Sequence, residues 1–202
     1  GQVTVSNAVN IQGTTAEVTE ALVTDDSLVV ATSATVEISN ASTVDELNAI
    51  AAKTDAVVTG SIAATSLASL SGLNTAGTDV ITITVNDSSG TLNATDLSAL
   101  GAKTAGTVTV SNAVTISGTR SQVTDALVTD STKVTASTAL VTITDGSGNV
   151  DAADLSAIGE KTSGQVTVSN AVNIQGTTAE VTEALVTDDS LVVATSATVE
   201  IS

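Results

Sequence analysis

The sequence predicts an α/β chain: a parallel β-solenoid with a short helix in each coil, drawn out into an elongated rod. Three observations carry that expectation. Gly1–Ser39 returns letter for letter as residues 164–202, a tandem repeat of 163 residues. Within that unit, apolar alternation, a polar turn and a short helical pattern follow one another repeatedly. The core must also be built without Phe, Trp, Tyr or Met, although 42% of the residues are apolar. Val, Ile, Leu and Ala each bury modest area, so many of them must stack in thin repeated layers. An all-β solenoid is the alternative.

The elements follow in order. Val3 and Val5 alternate with Thr4, and Val9 and Ile11 with Asn10, which predicts two strands around a Ser6-Asn7-Ala8 corner. Thr14 and Glu17 form a capping box ahead of Val18, Ala21 and Leu22, so a short helix begins there. It ends in the Asp25-Asp26-Ser27 turn. Leu28–Val30 and Val36–Ile38 open a second coil, and Thr43 with Glu46 caps its helix, which carries Leu47 and Ile50 and ends near Lys53. A compressed third coil reads as a strand over Ala56–Thr59, a Gly60-Ser61 turn, and Leu67, Leu70 and Leu73 at helical spacing.

The fourth coil has one strong strand, with Ile81, Ile83 and Val85 inward and Thr82 and Thr84 outward. Asn86–Gly90 then turns into a helix bearing Leu97 and Leu100. The fifth copies the first, with strands about Val108 and Val110 and about Val114 and Ile116, and a Thr119/Gln122 capping box. The sixth has Leu140–Ile143, a turn over Asp145–Asn149, and a helix with Leu155 and Ile158. First buried helix positions at Val18, Leu47, Leu67, Leu97, Val123, Leu155 and Val181 make six coils per unit, averaging about 27 residues. The expectation is one continuous solenoid over 1–202, with the first unit at 1–163 and the second starting at 164. It reads as a window on a longer array.

Composition narrows the function classes. The chain has no Cys and no His, which removes disulfides, thiolate chemistry and the commonest general base and metal ligand. Five basic against twenty-two acidic residues give a net charge of −17, which argues against nucleic acid or an anionic membrane as partner. No apolar run approaches the ~18 residues of a membrane span. Without an aromatic platform or a clefted loop system, neither an enzyme nor a small-molecule substrate is expected. The missing Met, Cys, Trp, Tyr and His also remove the usual oxidation targets.

One loop draws attention as a metal site. Asp145, Ser147, Asn149 and Asp151 place oxygen side chains at alternate positions around Gly146 and Gly148, as a calcium loop needs. A full loop of the helix–loop–helix type ending at Asp154 would begin at Ile143, which cannot ligate. The other reading makes Asp145 a turn former and Asp151 a helix N-cap. Asp25-Asp26, Asp188-Asp189 and Asp130 recur at one phase of the coil and read as an acidic edge. Outward threonines (Thr4, Thr82, Thr84, Thr109, Thr115, Thr142) raise ice binding, but Asn10, Glu37 and Asn173 interrupt the column that a flat face would need.

The recurring Asp-Leu-Ser-Ala-Leu/Ile-x-x-Lys-Thr, at 96–104 and 154–162, is followed by Gly-x-Val-Thr-Val-Ser. In these motifs the chain resembles the tandem-repeat regions of giant bacterial cell-surface proteins of the marine cyanobacterial type. The resemblance implies a secreted, structural role at the cell surface or outside the cell, in some relatives with calcium. The Gly/Asp nonapeptide calcium repeat of secreted toxins is not present. The leading expectation is a structural repeat segment of an extracellular fibre or giant surface protein. Its partner would be itself, end to end and by lateral bundling. An adhesin, or a calcium- or ice-binding repeat module, is the alternative.

Overall fold

The structure, a computed structural model, describes residues 1–24, 26–187 and 191–202. In chain order its first elements are β1 (Val3–Thr4), β2 (Asn10–Gly13), α1 (Thr15–Leu22), β3 (Val29–Val30), β4 (Thr35–Ser42) and α2 (Val44–Ala51). Next come β5 (Val58–Ile62), α3 (Leu67–Leu70), β6 (Val80–Val85), β7 (Thr91–Asn93), α4 (Ala94–Gly101), β8 (Val108–Val110), β9 (Thr115–Gly118) and α5 (Arg120–Val123). The remainder is β10 (Val134–Thr135), β11 (Leu140–Ile143), β12 (Asn149–Asp151), α6 (Ala152–Gly159), β13 (Val166–Val168), β14 (Asn173–Gly176), α7 (Thr178–Leu185), β15 (Val192–Val193) and β16 (Thr198–Ile201).

This corrects the predicted fold class. The described residues form a mixed α/β structure with four separate parallel sheets and seven α-helices, in two compact units, rather than one continuous solenoid. Seven helices also dispose of the all-β alternative. Successive strands pair in parallel, but the pairings fall into four sheets, and their register shifts where segments differ in length. Where β4 meets β5, Val36 pairs with Val58 and Glu37 with Thr59, but the next partners are Ala41 with Ser61. Ile38, Ser39 and Asn40 therefore stand opposite Gly60 alone, a bulge that resets the register. Gly60-Ser61, expected as a turn, is thus strand interior.

Unit 1 comprises residues 1–85 and 100–108. It contains the pair β1-β3 and the run β6-β5-β4-β2. Its core is aliphatic, with Leu47 and Ile50 of α2 and Ile81 and Ile83 of β6 fully buried. Unit 2 comprises residues 86–99 and 109–202, so α4 and β8 are each divided at the boundary. Its sheets run β15-β13-β11-β9-β7 and β12-β14-β16. Ile116, Ile143, Leu155, Ile158 and Ile174 form its buried centre.

The capping boxes form as the sequence requires. The Thr14 N–H donates to Glu17 Oε2 at 2.8 Å and the Glu17 N–H to Thr14 Oγ1 at 3.3 Å, and Thr43/Glu46 and Thr177/Glu180 repeat the arrangement. The backbone N–H of the cap threonine, helped by its hydroxyl, holds each of these three glutamates below its ordinary pKa. A folded-state pKa that is depressed contributes stability above the unfolded value, and that contribution is lost as pH falls toward the folded one. Thr119/Gln122 shows that an amide serves the same box without titrating. Glu46→Gln is therefore expected to keep α2 and to lessen the acid loss of stability. Urea midpoints between about pH 6 and about pH 3, which bracket the glutamate range, check this, and an unchanged acid slope would refute it.

The threonine of each Lys-Thr pair, in the repeated motif and at Lys53-Thr54, has a mechanical role. Thr104, buried, accepts N–H bonds from Ile81 and from Gly106, both at 2.8 Å, and its hydroxyl faces the carbonyls of Ile81 and Asp79. Thr162 accepts from the Gly164 N–H at 3.0 Å and donates to the Ala139 carbonyl. Thr54 donates to the carbonyls of Thr32 and Ala34. One hydroxyl thus stitches each turn to the backbone before it, satisfying groups that burial would otherwise strand. The lysines lie beyond the helix ends rather than in the last turns: α2 stops at Ala51 and α4 at Gly101.

Candidate interaction surfaces

The four residues of the predicted calcium loop lie together in unit 2 but turn to different partners. Asp145 follows β11, and its Oδ2 accepts the N–H of Arg120, the first residue of α5. Ser147 is exposed in the turn, beside Gly148 at φ +154°. Asn149 opens β12 and donates from Nδ2 to Gln175 Oε1 at 2.7 Å. Asp151 closes β12, accepts from Gln175 Nε2 at 3.0 Å, and caps α6 without a side-chain cap bond.

A cation already stands at the β12–α6 end of this loop. The Arg120 guanidinium pairs with Asp154 and lies 3.9 Å from Asp151 Oδ2. Among the described residues no three acidic side chains gather as a metal-holding group. Of the acidic edge, Asp26 and Asp130 are exposed, whereas Asp25, Asp188 and Asp189 lie outside the described residues.

The larger feature is a pair of sheet faces. In unit 1, β2 is the edge strand of its sheet. Asn10 Nδ2 and Gln12 Nε2 both donate to Glu37 Oε2, at 3.3 and 2.9 Å, and Thr35 Oγ1 donates to Asn10 Oδ1. In unit 2 the same letters recur in β14 and β16, where Asn173 Nδ2 donates to Glu200 Oε2 at 2.8 Å and Thr198 Oγ1 to Asn173 Oδ1. Here β12 covers the other side of β14, with Asn149 facing Asn173 and Asp151 facing Gln175. The strand that is an edge in the first copy is interior in the second.

Burial follows the same exchange. Val3 is 56% exposed, but its equivalent Val166 is fully buried. Val36 is 1% exposed and Ile38 6%, whereas Val199 is 49% and Ile201 52%. The first copy is covered on its β4 side by β5 and α2, the second on its β14 side by β12 and α6. Identical residues can therefore be covered on either side, and each copy leaves the opposite side open among the described residues.

No protein-family model, curated protein or solved structure matches the chain. No helix among the described residues is long and apolar enough to cross a membrane.

Two structural residues escaped the sequence reading. Asp79, almost fully buried, accepts N–H bonds from Val58 at 2.8 Å and Ala76 at 2.9 Å, so a carboxylate closes a gap in the backbone pairing. Thr104 works beside it through the Asp79 carbonyl. The recurrence of Lys-Thr could have pointed to the threonine; a lone Asp before an apolar strand offered no signal.

Proposed function

We propose that the chain is a structural repeat segment of an extracellular or cell-surface protein, whose partner is another copy of its own repeat. The observation that supports this reading most strongly is the letter-for-letter return of a 39-residue segment at an offset of 163 residues. Parallel pairing of successive strands along the chain agrees with it.

The net charge of −17 keeps such segments soluble and limits non-specific association. Sedimentation velocity over a wide concentration range tests the reading. Species larger than one chain are expected to grow with concentration, in the absence of added metal. A single monomeric boundary throughout would overturn it.

A further inference from the structure

We propose that Asp145-Gly146 is a self-modifying site, where the aspartate closes to a cyclic imide, reopens as an isoaspartyl linkage and so releases its turn from α5. Among all the Asp and Asn residues of the sequence, Asp145 alone is followed by Gly. Ring closure brings the next residue's backbone nitrogen onto the aspartyl side chain, and a Cβ on that residue obstructs the approach. Gly146 has none, is exposed, and stands in open space with nothing within 4 Å of where a Cβ would be. Asp145 is half-buried between β11 and β12, and its Oδ2 accepts the Arg120 N–H.

The chemistry needs no partner but water. The Gly146 nitrogen attacks Cγ of the protonated Asp145 carboxyl; the N–Cγ bond forms, the nitrogen gives up its proton, and Oδ1 leaves as water. The Arg120 N–H, donating to Oδ2, stabilises the negative charge that this oxygen gains as Cγ becomes tetrahedral. Water then adds to the Asp145 main-chain carbonyl carbon and breaks its bond to the Gly146 nitrogen. The chain now runs through Cγ, and the former main-chain carboxyl has become the side chain. One water is lost and one regained, and nothing is oxidised or reduced.

A second turn in unit 2 is built alike but lacks the glycine. Asn112 Nδ2 donates to the carbonyls of Asn86 and Asp87 at 3.1 and 2.9 Å, and Asn170 Nδ2 to those of Thr144 and Asp145 at 3.3 and 2.7 Å. The clamp is the same, but Ser88 stands where Gly146 does. Bringing the Gly146 nitrogen onto Cγ rotates the Asp145–Gly146 peptide plane and breaks the bond from Asn170. Asn170 is therefore the brake on the reaction, and the glycine decides which of the two turns converts.

The product differs where the turn is tied down. Its backbone is one atom longer, and its carboxylate hangs directly from Cα, one carbon shorter than an aspartyl side chain. The acceptor is drawn away from the Arg120 N–H, which stands in the first turn of a helix and has no carbonyl of that helix to replace it.

The full chain, folded, is incubated in neutral buffer and sampled over weeks. Trypsin then cuts after Lys53, Lys103, Lys133 and Lys161, so Asp87 and Asp145 report in separate peptides. Electron-transfer fragmentation locates isoaspartate, and enzymatic carboxyl methylation with S-adenosylmethionine counts it. Isoaspartate is expected at Asp145 several-fold above Asp87. Gly146→Ala, which the open site and a φ outside the left-handed range tolerate, should bring Asp145 down to the level of Asp87. Asn170→Ala should raise the rate at Asp145 several-fold and leave Asp87 unchanged. Hydrogen exchange at the Arg120 amide should quicken in proportion to the isoaspartate formed. Equal amounts at Asp87 and Asp145, or a Gly146→Ala chain that still converts at Asp145, overturn the site. An Asn170→Ala chain that converts no faster overturns the brake, and an Arg120 amide whose exchange ignores the conversion overturns the release.

Discussion

Ile174→Ala is expected to cost about 2–5 kcal/mol, the range for emptying a fully buried isoleucine site, whereas Ile11→Ala, the same letter in the first copy, should cost clearly less. Ile174 is completely buried beneath β12, while Ile11 is half-buried at an edge strand. The order reverses at the next strand. Ile38→Ala removes a buried side chain and should fall in that range, but Ile201→Ala alters one that is half in water and should change stability little. Urea unfolding of the four variants at low protein concentration reads the result. Equal costs within either pair would contradict the unequal burial of the two copies.

The second large effect concerns a glycine. A Cβ at Gly164 would lie well inside 3.0 Å of the Ala139 carbonyl, and one at Gly106 equally close to that of Ile81. Each glycine follows a threonine stitch by two residues, where the backbone is pulled against the preceding strand. Gly164→Ala must push two backbones apart, and about 1–3 kcal/mol or more is the expected cost of such overpacking. Gly1, its sequence equivalent, has nothing within 4 Å, so Gly1→Ala should be neutral. Thermal unfolding of the two variants against the parent decides it; comparable melting of both variants would show that the close approach at Gly164 is absent.

What the sequence made legible was local. Thr14, Thr43 and Thr119 declare their helices because a capping box lies within four residues. Ile81, Ile83 and Val85 declare β6 by alternation alone. What was lost depended on distant partners. Thr91–Asn93 and Asn149–Asp151 hold one apolar residue each, and become strands only because β9 and β14 pair with them. Gly60-Ser61 has turn composition, but Ile81, Thr82 and Ala41 pair with it and keep it extended.

The positive φ of Leu28, Lys133 and Leu191 was equally invisible, since glycine or asparagine is the usual sign of that conformation. The failed solenoid has the same origin. Periodicity revealed a recurring pattern, but which strands share a sheet is decided by partners outside any local window. The candidate loop shows the complementary limit. Its oxygen-rich spacing was visible, but the partner of Asp154, Arg120, lies 34 residues away.

The side-chain ladder responds little to dissolved salt. Its rungs are amides and hydroxyls bound to carboxylates or to one another, as in Gln12 to Glu37 and Asn149 to Gln175. Arg120 forms ion pairs with Asp151 and Asp154, in a chain with only five basic residues. Dissolved electrolyte therefore has little attraction to weaken, while it screens the mutual repulsion of a net −17 charge. Added salt is therefore expected to raise the melting temperature, which thermal unfolding at low and high ionic strength checks.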